Sequence, residues 1–395
     1  NSRSVPTMLR TTTLSLLLAG SASAYTLARG PSALSVRPAL AKPAQFAPLV
    51  RMAEAAAEAT PVEEAPCIED EAIEECVLAS WDAGKITLPM PVVEKLQLFT
   101  FIFGWFFLNV MYNISNKRVL NAFAMPWMMS LSSLGVGVPF VMLLWATGIR
   151  KAPEIDAKGW KTLAPIGVAH ALGHAGSVIA LGAGAVSFAQ TVKAAEPVFT
   201  CIMSYLVLGT VFKWQVYASL FPIIAGVSIA SLKELSFTYK SLFCALLSNV
   251  AFASRAVLSK LTMQEPAGKN MDAANLYGIL TMLAFVLTIP FAFYFEGATL
   301  ASTWAASAAV VGTPWLIKNI IINGMYYYLY NEVAFITLNK VAPITHSIAN
   351  TVKRIAIIVA TCLVFRNPMS RIGVIGSSIA IAGTFLYSYA KQKWP

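Results

Sequence analysis

Residues 342–365 read APITHSIANTVKRIAIIVATCLVF. This run of 24 residues is long enough to cross a hydrocarbon core of ~30 Å as a helix. It carries Lys353 and Arg354 near its middle and no acid anywhere. A cation at mid-bilayer costs several kcal/mol, so such a residue faces a cavity or a partner. Long side chains can also snorkel to the headgroups. That explanation is poor for an adjacent pair, because the two point about 100° apart and both would need an exit.

A related run lies upstream. Residues 185–209 read AVSFAQTVKAAEPVFTCIMSYLVLG, and Thr191-Val192-Lys193 stands 160 residues before Thr351-Val352-Lys353. Lys193 is about eight residues into this run, a depth at which snorkelling remains open. Glu196, one turn later, is the acid available to it.

Apolar runs recur on both sides of these two. Spans are expected near 97–120, 124–148, 161–182, 185–209, 213–232, 238–262, 273–295, 307–332, 342–365 and 371–390. The short connections carry charge: Arg150, Lys151, Lys158 and Lys161 in one, Lys269 and Asp272 in another. The two Thr-Val-Lys sites fall at the fourth and ninth spans, which are corresponding positions of two five-span copies. An odd number of spans per copy inserts the second copy upside down. Such inverted repeats mark transporters and place the site near the midplane, where the copies meet. The fold class is therefore all-α: a polytopic membrane protein of about ten helices in a five-plus-five inverted repeat, with repeat one over 97–232 and repeat two over 238–391.

Composition agrees. Of 395 residues, 57% are hydrophobic and 12% charged, about half the charge of a soluble domain. Eleven of the nineteen acids lie between Glu54 and Glu94. From residue 97 onward 21 Lys/Arg face 8 Asp/Glu, so the body is basic as well as apolar. That balance suits anionic solutes or lipid headgroups. It does not suit nucleic acid, because the cations lie in or beside apolar spans. The five cysteines are scattered, with no CxxC and no His/Cys cluster, so neither metal nor cofactor is expected. An enzyme acting on phosphorylated lipid would need a base or metal carboxylates beside the cations, and Glu196 is the one acid within a span near them.

The N-terminal part reads as an address. Met8-Leu9-Arg10, an apolar run to Leu18 and Ala22-Ser23-Ala24 form a signal peptide ending near residue 24. The following stretch to residue 52 holds Arg29, Arg37, Lys42 and Arg51 and no acid, which is transit-peptide composition. Together, 1–52 resemble the bipartite presequence of secondary plastids. Residues 53–96, rich in Ala and Glu, are expected to be a disordered acidic tail.

Weaker ligands line the spans. His170 and His174 are four residues apart and share a face of the third span, with Ser177 beyond them. Tyr330 closes the run Tyr326-Tyr327-Tyr328-Leu329-Tyr330, and Arg255 is a further cation well inside the sixth span. Asn109, Asn113 and Asn116 follow helical spacing on the first span and read as interhelical hydrogen bonders.

At this point a family resemblance is specific. Asn109-Val110-x-x-Asn113-x-x-Asn116-Lys117, His170-Ala171-Leu172-Gly173-His174, Thr191-x-Lys193-x-x-Glu196-Pro197, Tyr330-Asn331, Val341-Ala342-Pro343-x-Thr345-His346-Ser347, Asn350-x-x-Lys353-Arg354 and Gly383-Thr384-Phe385 occur in order. The chain resembles the plastid phosphate translocators, triose-phosphate/phosphate type, of the drug/metabolite transporter superfamily. The resemblance implies exchange of inorganic phosphate for a phosphorylated compound of three, five or six carbons. It implies that Lys193, Lys353 and Arg354 hold the phosphate and that His174, Ser177 and Tyr330 meet the rest of the substrate. Some members carry Thr where this chain has Ser177, and many carry His where it has Gln190. His174 and His346 favour a triose phosphate or 3-phosphoglycerate. Phosphoenolpyruvate or sugar-phosphate exchange, or nucleotide-sugar transport in secretory membranes, are the alternatives.

Overall fold

The structure, a computed structural model, describes residues 75–81, 84–232, 237–264, 266–340, 343–367 and 369–394. The presequence expected over 1–52 and the start of the acidic tail lie outside the described residues. Within that tail, Glu75–Trp81 and Gly84–Pro89 form an antiparallel strand pair, where no structure was expected. Val77, Trp81, Ile86 and Thr87 are strand formers, a local signal that the average composition of 53–96 hides.

Among the described residues ten long helical segments follow at the expected spans: Met90–Ala122, Pro126–Ala146, Ala157–Ala183, Val186–Leu208, Trp214–Leu232, Tyr239–Gln264, Ala273–Glu296, Thr313–Lys340, Pro343–Phe365 and Arg371–Lys393. All of them but Thr313–Lys340 hold a stretch long and apolar enough to cross a membrane. The first starts seven residues earlier than expected, with Pro91 in a first turn where its missing N–H costs nothing. The eighth starts later. A separate helix, Leu300–Val311, occupies the residues expected to open it, and Gly312 at φ 85° ends that helix before Thr313-Pro314 begins the span.

Two spans are broken. The fourth consists of Val186–Lys193 and Glu196–Leu208, the fifth of Trp214–Ala218 and Leu220–Leu232. Each first piece ends four residues before a proline, Pro197 or Pro222, whose ring would clash with that residue's carbonyl in a continuous helix.

The packing repeats itself when span n is replaced by span n+5. The third span packs on the sixth as the eighth packs on the first. The second packs on the eighth as the seventh packs on the third, and the fourth on the sixth as the ninth on the first. The second meets the seventh, the fourth the ninth and the fifth the tenth, each across the axis. The fifth–tenth crossing shows the symmetry atom by atom. A Cβ added at Gly226 would fall 2.6 Å from the Gly376 carbonyl oxygen and 2.8 Å from Ala380 Cα. One added at Gly376 would fall 2.7 Å from the Gly226 oxygen and 2.8 Å from Ala230 Cα. Small residues four apart let the two backbones touch.

Phe99, Phe103 and Phe107 stack along the outside of the first span, and Leu206 and Val310 are also exposed, where lipid is the solvent. At one end of the bundle Arg150 lies in its loop, but its side chain is buried and paired with Glu332 of the eighth span. Asn275 ties the same end together, accepting from Trp145 Nε1 at 3.0 Å and donating to the Lys151 carbonyl at 2.9 Å. At the other end the Glu296 carboxylate accepts from the Trp127 and Met128 N–H groups at 3.1 and 2.8 Å, capping the second span.

Candidate functional site

The break in the fourth span positions its charged residues. Lys193 ends the first piece and Glu196 opens the second, so a cation stands at a carbonyl end and a carboxylate at an N–H end, each favoured by the helix dipole. Asn249 of the sixth span donates to the Val192 carbonyl at 2.9 Å and steadies the break. Discontinuous helices of this kind line transporter sites.

The Lys193 ammonium donates to Ser177 Oγ at 2.5 Å. Ser177 and Ser248 hydroxyls lie 2.7 Å apart, and Ser248 donates to the Gly173 carbonyl at 2.8 Å. Because the Ser248 proton is committed there, Ser177 donates to Ser248, and a directed chain runs from Lys193 into the third span. Lys193 also lies over the Phe252 ring, 5.1 Å from its centroid.

Arg255 shares that ring, its guanidinium carbon 4.7 Å from the centroid. Its NH1 donates to His170 Nδ1 at 2.8 Å; a guanidinium only donates, so the His170 proton sits on Nε2, facing Tyr327 Oη at 3.1 Å. His174 packs at a tilt against Tyr327 with centroids 3.9 Å apart, and its buried Nε2 has no protein hydrogen-bond partner among the described residues. Tyr330 packs against Tyr327 and Tyr112, at 5.7 and 5.2 Å.

From the second copy, Arg354 is buried and pairs with Glu196. The sequence offered Glu196 to Lys193; the structure gives it to Arg354 across the axis. Lys353 lies over the Trp105 ring, 4.5 Å from the centroid. Lys193, Arg354 and Arg255 all lie near enough to act electrostatically on Lys353. The expected residues Lys193, Ser177, Arg255, His174 and Tyr330 are thus joined by one chain of contacts drawn from both copies, and Arg354 and Lys353 of the ninth span close it. His170 supports Arg255 rather than standing free. Four cations face one carboxylate here among the described residues, and a compact dianion with several acceptor oxygens is the solute such a cluster attracts.

Trp105, Phe252, Tyr327 and Ser248 join the site without having been singled out as ligands. Their only sequence signal is position: each lies on a span that the repeat brings to the axis. Two of the three asparagines read as interhelical behave so. Asn113 accepts from Gln190 Nε2 at 2.9 Å, linking the first and fourth spans, and Asn116 meets Asn323 of the eighth at 3.5 Å. Side chains of 343–347, which include Thr345 and His346, are outside the description.

The model of the Triose-phosphate Transporter family matches residues 96–388. The chain is 41% identical over 294 residues to the triose phosphate/phosphate translocator of Pisum sativum, covering 74% of this chain and 72% of that one. It is 40% identical over 300 residues to glucose-6-phosphate/phosphate translocator 2 of Arabidopsis thaliana, covering 76% of each. Glucose-6-phosphate/phosphate translocator 1 of the same plant is 38% identical over 311 residues, covering 78% of this chain and 79% of its own. With a family model spanning the whole bundle and relatives at this level, the chain belongs to the Triose-phosphate Transporter family and is a multi-pass membrane transporter, not an enzyme.

Proposed function

We propose that the protein exchanges inorganic phosphate for a triose phosphate or 3-phosphoglycerate across a plastid envelope membrane. The observation that carries this is the axial cluster of Lys193, Lys353, Arg354 and Arg255 against, among the described residues, the one carboxylate of Glu196. Relatives named as chloroplastic translocators of phosphate with triose phosphate or glucose 6-phosphate support the solute class and the plastid. The leader composition of 1–52 supports delivery to a secondary plastid. Identity does not separate the C3 from the C6 relatives, at 41% and 40%. His174 favours C3: it is packed against Tyr327 and buried, leaving its Nε2 for a small substrate oxygen.

Exchange follows from charge. The Arg354–Glu196 pair neutralises one cation, which leaves Lys193, Lys353 and Arg255 without a carboxylate partner among the described residues. An empty carrier must occlude that charge, at a cost of several kcal/mol. A phosphate dianion cancels most of it, so the loaded carrier crosses faster.

Uptake of labelled phosphate into liposomes holding the purified protein tests this, with nothing, phosphate, 3-phosphoglycerate, phosphoenolpyruvate or glucose 6-phosphate inside. Uptake is expected only with an internal phosphate compound, and fastest with the C3 ester. Equal uptake into empty liposomes would replace exchange by a channel or uniporter. A preference for internal glucose 6-phosphate would move the substrate to the hexose class.

A further inference from the structure

Lys193 and Lys353 share a circumstance that the phosphate reading does not use. Among the described residues neither is paired with a carboxylate, and each lies over an aromatic ring. Lys193 belongs to the fourth span and its ring, Phe252, to the sixth. Lys353 belongs to the ninth and its ring, Trp105, to the first. The operation that carries span n to span n+5 exchanges these two pairs, so one device has been built twice. The rings are held in place from behind. Phe252 lies flush on the third span at Gly173, where an added Cβ would fall 2.7 Å from a ring carbon. Trp105 is 2% exposed, and its cluster packs against Tyr326 and Tyr330.

An aromatic face attracts a cation through its quadrupole yet carries no net charge and accepts no strong hydrogen bond. It can hold an ammonium in a dry site without neutralising it, and a phosphate oxygen outcompetes it. We propose that Trp105 and Phe252 are symmetry-related rests for the two site lysines, occupied when the carrier is empty and vacated when phosphate draws the ammonium groups off the rings. They are positioning residues. The inference rests on Lys193 and Lys353 binding phosphate, as proposed above. Its physical consequence is a competition: each rest stabilises the empty carrier alone and so weakens apparent affinity for phosphate.

The test is binding of inorganic phosphate to the detergent-solubilised full chain, with exchange KM and maximal rate measured in liposomes. Phe252→Leu and Trp105→Leu should each bind phosphate at least about threefold more tightly, the change expected from a cation–π contact at the weak, solvent-exposed end of its range. Phe252→Tyr and Trp105→Phe, which keep a ring, should bind as the wild type does. Should the buried Trp105→Leu fail to fold, the half-buried Phe252 carries the test. Wild-type Trp105 also reports directly. Phosphate should shift its emission as the ammonium leaves, a change lost in Trp105→Phe. Unchanged or weaker binding in the Leu variants, with Lys353→Gln unable to bind, would make the rings ordinary packing and leave the phosphate site standing. Wild-type phosphate binding by Lys353→Gln would remove the site reading itself, and the rests with it.

Discussion

At Lys193 the fourth span stops; at Lys353 the ninth runs on. The two share Thr-Val-Lys and then part: Ala194-Ala195-Glu196-Pro197 in one, Arg354-Ile355-Ala356-Ile357 in the other. Proline breaks the first copy, and isoleucine, at the corresponding place in the second, does not. The break costs helix hydrogen bonds and gains a lysine and a glutamate at facing helix ends. The unbroken copy gains an arginine one residue past its lysine, and that arginine reaches the glutamate of the first. A duplicated scaffold that kept identical charges would face like with like at the axis. Here each copy keeps one lysine, and the members of the ion pair are divided between them. The two halves are thereby tied at the point where alternating access would move them.

The largest effect expected from breaking that tie is on stability. Glu196→Gln leaves the Arg354 guanidinium buried without its carboxylate, a loss of about 3–5 kcal/mol for a pair of this kind. Phosphate can supply the missing charge. The variant should therefore unfold at lower temperature in detergent and gain more from added phosphate than the wild type does. Equal gains from phosphate would mean that Arg354 does not face the solute.

Next come the lysines themselves. Each should give a phosphate oxygen charge-assisted hydrogen bonds worth about 3 kcal/mol, so Lys193→Gln and Lys353→Gln should each slow exchange by about 100-fold. Comparable losses would mean that the broken and unbroken copies serve the solute alike. Wild-type exchange by Lys353→Gln would show the site to be misplaced.

The fifth–tenth crossing asks the same question where no charge is involved. Gly226→Ala and Gly376→Ala each drive a methyl into the facing backbone. Each should destabilise by about 1–3 kcal/mol, the usual cost of overpacking, and by similar amounts. Thermal unfolding of the two variants would show whether the symmetry of the contacts is a symmetry of energy.

Much of this was legible in the sequence, and for identifiable reasons. Span length, the 160-residue offset of Lys193 and Lys353, and cations at mid-bilayer are properties of the chain itself, so the inverted repeat and the axial cations could be read directly. The Arg354–Glu196 pair could not, because its partners are 158 residues apart and meet only once the two copies dock. Local spacing pointed Glu196 at Lys193 instead. The rings under the lysines were hidden for another reason: Trp105 and Phe252 are two of many aromatics on apolar spans, and nothing local marks which face turns inward. Arg150 lies in the loop where its charge places it, but its burial could not be read, because Glu332, which draws its side chain inside, is 182 residues away.

The smallest effect expected separates what holds the two lysines. Lys193 has a hydroxyl as well as a ring, in the chain from Lys193 through Ser177 and Ser248 to the Gly173 carbonyl. Lys353 has the Trp105 ring. The hydroxyl is directional where the ring is not, so it fixes the ammonium at the Ser177 side of the site, where an incoming phosphate meets it already oriented. Ser177→Ala removes one such hydrogen bond, about 1 kcal/mol net, and should raise the phosphate KM about fivefold with little change in maximal rate. Ser177→Thr keeps the oxygen and should stay near the wild-type KM. If Ser177→Ala binds phosphate as tightly as Ser177→Thr, the hydroxyl only fills space. The broken copy then holds its lysine as the unbroken copy does, over a ring.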